Sequence, residues 1–440
     1  MRTLFSVFAL AILSSELVDV SHAQTISLPT EVIDGEPVTV AIDDLPPKIE
    51  VRVAVRRVET SGAVFSSHAT YVSDAAGRID TATSAAVSGD YQGTNPAGLF
   101  FSMAPNGTVA EGRGIIALTA TIDGRVVATR SVELVDPASR VVMIDIMAFA
   151  GARLYRPQGH QRLPVVIILG GSEGGSGYGR SLGPKLAMLG YAAIALPYYN
   201  PGWSKEDLPG LPTAFANIPV DRLAAVHRWI EGREDLDAQR IGIWGVSKGG
   251  EFAMIAATRF SWLRAVIGIV PSDVVWEGWG TASSDGGSSS FSWKGRSLPF
   301  TPYLNMTETI DALSRGENRS LAVPHLEGRR NYPERAAAAR IPVERYNGAM
   351  FIAGGDLDQI WPSGAMVRTI AERRAEAGRT TAALGFAGAG HGLAGTGWEP
   401  MNYPGNATLL ADAKARQIIW GLTTKFLHEE LNSLQGKHHP

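Results

Sequence analysis

Between residues 24 and 138 the chain is written in short runs in which apolar and polar positions alternate. Examples are Pro37-Val38-Thr39-Val40-Ala41-Ile42 and Ile49-Glu50-Val51-Arg52-Val53-Ala54-Val55. A period of two over β-branched residues sets one face of an extended strand toward a core and the other toward water. Turn residues divide the runs, as in Asp74-Ala75-Ala76-Gly77, and Asp123-Gly124 stands between two strand-like stretches as a hairpin connection would. Nothing in this part has the period of a long helix. The pattern predicts an all-β sandwich over 24–138.

The rhythm changes from residue 139 to 435. Apolar runs at Val165 to Leu169, Tyr191 to Leu196, Ile241 to Trp244, Ala265 to Val270, Ala349 to Ala353 and Ala382 to Phe386 read as strands buried on both faces. Amphipathic stretches such as Val220 to Ile230 and Val367 to Ala375 lie between them, and Ala411 to Leu431 closes the chain as a helix. Strand and helix in alternation predict an α/β domain on a mostly parallel sheet with helices on both faces. Residues 271–340 interrupt the alternation. They contain the Gly- and Ser-rich Thr281 to Ser290 and are expected to form an insertion over the carboxyl edge of the sheet. Its aromatics Trp276, Trp279, Phe291 and Trp293 could line an acyl pocket or form the local core of the insertion.

Composition narrows the chemistry. With 440 residues a single core is too small, so two domains are expected. Forty basic against 43 acidic side chains leave a formal charge of -3, without the basic excess of a nucleic-acid binder. The absence of cysteine removes disulfides, thiolate metal sites and a cysteine nucleophile. At the start, Arg2, the apolar run Leu4 to Leu13 and Ser21-His22-Ala23 before Gln24 have the order of an export signal over 1–23. That run is too short to span a bilayer, and no later run is apolar enough to do so. The reading expects an exported protein without a membrane span.

Gly245-Val246-Ser247-Lys248-Gly249 matches GxSxG, a weak signal by itself in a chain with 49 glycines. Its neighbours make it specific. Arg240-Ile241-Gly242-Ile243-Trp244 before it reads as a buried strand, and Gly250-Glu251-Phe252-Ala253-Met254-Ile255-Ala256-Ala257 after it as a helix. Strand, glycine-flanked serine, helix is what a nucleophile elbow requires, so Ser247 is the candidate nucleophile. A serine hydroxyl needs a base. The other eight histidines fall in the export signal, the sandwich, helices, the insertion, the tail or ahead of the first α/β strand. His391, in Ala387-Gly388-Ala389-Gly390-His391-Gly392 after the last strand, is left. Two aspartates follow the preceding strand. Asp358 has the spacing GxxDxxWP and is preferred as the acid, with Asp356 left to cap the turn. The Lys248 amide and Gly171 or Ser172 in Leu169-Gly170-Gly171-Ser172-Glu173-Gly174-Gly175 are the candidate oxyanion donors. A phosphate-binding GxxxxGK[ST] loop is absent, and nothing calls for a metal or cofactor.

Further motifs run through both halves: Gly89 to Met103 ending in Gly98-Leu99-Phe100-Phe101-Ser102-Met103, Tyr198-Tyr199-Asn200 with Asp207-Leu208-Pro209, Gly245 to Glu251, Ser292-Trp293-Lys294-Gly295, Ile341-Pro342-Val343-Glu344 and Ala387 to His391. In these motifs, taken in this order, the chain resembles the family of bile acid-CoA:amino acid N-acyltransferases and acyl-CoA thioesterases. The resemblance implies an immunoglobulin-like domain followed by an α/β-hydrolase domain and a Ser247, Asp358, His391 triad. It further implies an acyl thioester substrate, acyl-CoA above all. The amidating members use cysteine where this chain has Ser247, so the resemblance favours hydrolysis over N-acyl transfer. Export would separate the protein from cytoplasmic acyl-CoA and favours instead a carboxylesterase acting on other esters or amides. A binding protein with a vestigial hydrolase domain is the reading outside enzymes; three intact side chains in the order Ser, Asp, His argue against it.

Overall fold

The computed structural model describes residues 23–159, 162–280, 287–401 and 408–432. The expected export signal lies outside them apart from Ala23. In the first part, Glu50–Val58 and Ala63–Val72 pair antiparallel with Val53 opposite Ala69. Val51, Val53 and Val55 point into the core, as the alternation requires. Asp123 and Gly124 both have left-handed φ, 48° and 77°. They join Ile115–Ile122 to Arg125–Val135 in the tight connection whose twist suits a hairpin. A seven-stranded and a three-stranded sheet enclose one apolar core containing Ile26, Ile42 and Ile79 from the smaller sheet and Val53, Tyr71 and Leu118 from the larger.

Two details differ from the pattern. The run from Pro37 forms a strand only at Ala41–Asp43. Val38 and Val40 are buried, so the alternation there records burial without a ladder. Gly98–Phe101 forms a short helix whose Leu99, Phe100 and Phe101 enter the same core.

The second part is an eight-stranded sheet of β1 Val142–Asp145, β2 Arg153–Arg156, β3 Leu163–Leu169, β4 Ala192–Ala195, β5 Leu236–Val246, β6 Leu263–Ile269, β7 Ala349–Gly355 and β8 Ala382–Phe386. Their order is β1-β2-β4-β3-β5-β6-β7-β8. The pairs β1 with β2 and β2 with β4 are antiparallel and the rest parallel. This is the α/β-hydrolase arrangement. β3 is buried throughout because helices cover both faces, which explains its unbroken apolar sequence.

The two parts share a seam. Met401 and Ala413 belong to the sandwich core although they lie near the end of the chain, and the Met401 amide donates to the Phe101 carbonyl at 3.0 Å. Asn95 and Gln417 exchange side-chain hydrogen bonds at 3.2 and 3.1 Å. Within the α/β part, Lys185 meets Glu399 at 2.6 Å, beside Gly35 of the sandwich. Among the described residues no helix is long and apolar enough to cross a membrane.

Candidate active site

β5 stops at Val246 and the helix Lys248–Ala257 starts at once, leaving Ser247 between them at φ 53° and ψ -119°. Such a backbone costs a non-glycine residue about 1–3 kcal/mol and persists only where its surroundings enforce it. Here the Ser247 amide donates to the Ile269 carbonyl at 2.9 Å, and the Ser247 carbonyl accepts from the Glu251 amide at 3.0 Å. The flanking glycines permit the closeness. A Cβ on Gly249 would strike the Gly170 carbonyl, and one on Gly245 the Gly249 carbonyl. Strand, turn and helix thus hold the Ser247 hydroxyl over the carboxyl edge of the sheet.

His391 arrives from the loop after β8. The Gly390 amide donates to Asp412 at 2.7 Å, and the Ala389 carbonyl accepts from the Leu357 amide at 3.0 Å, which ties this loop to the turn after β7. That turn carries Asp358. His391 Nδ1 lies 2.7 Å from Asp358 Oδ2, and His391 Nε2 lies 3.0 Å from Ser247 Oγ. An ionised carboxylate only accepts, so the ring proton belongs on Nδ1, which leaves the Nε2 lone pair facing the serine hydroxyl. The other carboxylate oxygen, Oδ1, accepts from the Ile360 and Trp361 amides at 2.8 and 3.3 Å. Trp361 stands edge-on to the His391 ring at 5.7 Å and donates its indole N–H to the Val270 carbonyl at 3.1 Å. Asp356, the alternative acid, turns outward to Arg368 at 2.8 Å.

Of the candidate oxyanion donors, Lys248 opens the helix and Gly171 faces the nucleophile, with its Cβ position 3.2 Å from Ser247 Cβ. Ser172 is exposed on the turn. The Gly171 amide already has an acceptor, Glu173 Oε1 at 2.8 Å. In the sequence Glu173 is marked only as a lone carboxylate within a glycine run; its place at the nucleophile is made by the fold.

Of the insertion aromatics, Trp276 and Phe291 are fully buried, and Trp279 and Trp293 are half-buried against the core of the α/β part. Phe215, Trp279, Phe291 and Trp361 surround the Lys248 ammonium at 5.3 to 5.8 Å from their ring centres. His325, set aside as an insertion residue, packs edge-on against Trp361. Burial pushes its pKa down to about 3, so its ring is neutral. Among the described residues no group of three His, Cys, Asp or Glu could hold a metal ion.

Comparison with known proteins adds the ancestry. Residues 35–130 match the family described as "Acyl-CoA thioester hydrolase/BAAT N-terminal region", and 224–433 match "BAAT / Acyl-CoA thioester hydrolase C terminal". The chain belongs to this family. Residues 150–277 also match the dienelactone hydrolase family. Among its relatives is acyl-coenzyme A amino acid N-acyltransferase 2 of Mus musculus, 25% identical over 93% of this chain and 98% of the relative. Acyl-coenzyme A thioesterase 1 of Homo sapiens is 25% identical over 88% of each chain. The mitochondrial acyl-coenzyme A thioesterase 2 of Homo sapiens is 25% identical over 88% of this chain and 76% of the relative. Family members therefore include both acyl transferases and thioesterases.

Proposed function

We propose that the protein is a serine hydrolase of acyl thioesters and esters, with acyl-CoA the leading substrate class. The observation that carries the reading is the continuous hydrogen-bonded chain from Ser247 through His391 to Asp358, set on a strained strand-to-helix turn. Ser247 Oγ attacks the acyl carbonyl while His391 Nε2 takes its proton, and Asp358 holds the resulting imidazolium. The amides of Lys248 and Gly171 receive the charge that develops on the carbonyl oxygen. Collapse breaks the bond to the thiolate or alkoxide, which leaves with the proton from His391. Water then loses a proton to His391, attacks the acyl-enzyme and releases the acid.

Serine at the nucleophile position supports hydrolysis over conjugation to an amino acid. A second reading, an exported carboxylesterase with no role for CoA, is favoured by the export-type sequence at Arg2 to Ala23. Hydrolysis of palmitoyl-CoA compared with a p-nitrophenyl ester separates the two. Labelling by a fluorophosphonate probe tests the nucleophile, and labelling that survives in Ser247→Ala rejects it.

A further inference from the structure

Glu173 lies on the glycine-rich turn after β3 and has no part in the steps above. Its Oε1 accepts the Gly171 amide at 2.8 Å, and its Oε2 lies 2.6 Å from the position a Cβ of Gly171 would take. That same position is 3.2 Å from Ser247 Cβ. The carboxylate and the nucleophile thus flank one glycine. An oxyanion formed on an acyl group attached to Ser247 must come within about 3 Å of its donors. It would then compete with Glu173 for the Gly171 N–H, and two anions on one donor repel.

We propose that Glu173 is a displaceable cap on the oxyanion hole: its carboxylate holds the Gly171 amide in the resting enzyme, and attack proceeds once that carboxylate has yielded the amide to the substrate carbonyl. The inference rests on the hydrolase reading given above. Two features make displacement feasible. Glu173 is exposed at the turn, so its side chain can swing toward solvent. Although the residue as a whole is exposed, its carboxyl end is turned in against the Gly171 amide, and burial there pushes it above the usual range, against the opposing pull of its own amide, the Gly171 amide and His391. The titratable groups that face it are His391, Tyr178 from the helix Gly177–Met188 and Tyr198 from the segment after β4. Burial keeps both phenols neutral, and the Tyr198 hydroxyl donates to the Gly170 carbonyl at 2.8 Å.

A neutral carboxyl is a weaker acceptor than a carboxylate and gives up the amide more easily. The cap therefore restrains the enzyme most at high pH. The test uses the full chain with Glu173→Ala, Glu173→Gln and Ser247→Ala, reading kcat/KM on p-nitrophenyl acetate and the rate of fluorophosphonate labelling from pH 6 to 9. Both glutamate variants are expected to exceed the wild type by about tenfold at the alkaline end, a fraction of the effect of one oxyanion donor. The advantage should be largest where the Glu173 carboxyl is ionised. Glutamate variants that keep the wild-type circular dichroism and melting temperature yet match or fall below the wild type at every pH would overturn the cap and leave the hydrolase reading standing. If instead Ser247→Ala retains turnover and labelling, the hydrolase reading fails and the cap falls with it.

Discussion

The ammonium of Lys248 and the carboxylate of Glu251 meet at 2.8 Å, fully buried, within one helical turn of Ser247. Burial drives the lysine pKa down and the glutamate pKa up, and each charge pulls the other back. The pair also anchors the insertion: Lys248 donates to Ser290 Oγ at 2.8 Å, and Glu251 accepts the Trp276 amide at 3.0 Å. One ion pair therefore ties the elbow helix to Trp276 and Ser290 of the insertion.

Lys248→Met strands the Glu251 carboxylate in an apolar surrounding. Breaking a buried pair in this way costs about 3–5 kcal/mol. Denaturant unfolding should show a loss of that size, with part of it recovered in Lys248→Met/Glu251→Gln, where no charge is left behind. A single variant as stable as the wild type would contradict the role of the pair.

The two aspartates after β7 give a paired test. Asp358→Asn removes the acceptor that keeps the proton on His391 Nδ1, and kcat should fall by roughly 10⁴ with little change in melting temperature. Asp356→Asn breaks only an exposed contact to Arg368, half of whose side chain is open to water. Its effect on stability should stay within about 1 kcal/mol and its kcat near wild type. Reversal of the two outcomes would move the acid to Asp356.

At Gly249 even a methyl group has no room, because the Gly170 carbonyl occupies its place. Gly249→Ala must push the elbow helix away from β3, and with it the amide of Lys248 and the hydroxyl of Ser247. Fluorophosphonate labelling should drop at least about 100-fold, the scale on which a 1 Å misplacement acts. Labelling at the wild-type rate would show that the elbow tolerates the shift.

The core of the fold was legible where one physical demand set the residues. β3, the Ile241 to Val246 half of β5, β6 from Ala265 onward and most of β7 are buried on both faces, so their sequences carry no charged residue, and β8 was placed residue for residue despite its more exposed surface. The helix Gly177–Met188 was missed because Gly177, Gly179, Gly183 and Pro184 depress helical propensity, and tertiary packing overrides them. β1 and β2 were missed because they carry Asp145, Arg153 and Arg156 and are only partly buried, so neither has the apolar run of the central strands. At the site, Ser247, Asp358 and His391 each had a local signature of strand and turn. Glu173 and the Lys248 side chain had none: their partners, the Gly171 amide and the insertion aromatics Trp279 and Phe291, are brought to them by the fold.

Acid should loosen the protein in two windows that overlap between pH 4.5 and 3. His325 has a pKa of about 3 when folded against an ordinary 6.5, because its buried ring resists charge, so its contribution is complete above pH 6.5 and erodes as the pH falls toward 3. Burial alone would raise the Glu399 carboxyl, but Lys185 and then Arg416 and Thr396 outweigh it and hold the pKa at about 2 against an ordinary 4.5. Its contribution, about 3 kcal/mol at neutral pH, is complete above 4.5 and disappears as the pH falls through 2. Lys185→Met should therefore lower stability at pH 7 and flatten the dependence between pH 4.5 and 2, leaving the higher window intact. Denaturant unfolding at half-unit pH intervals measures both slopes, and a variant that keeps the wild-type slope below pH 4.5 would separate Glu399 from the acid sensitivity of the seam.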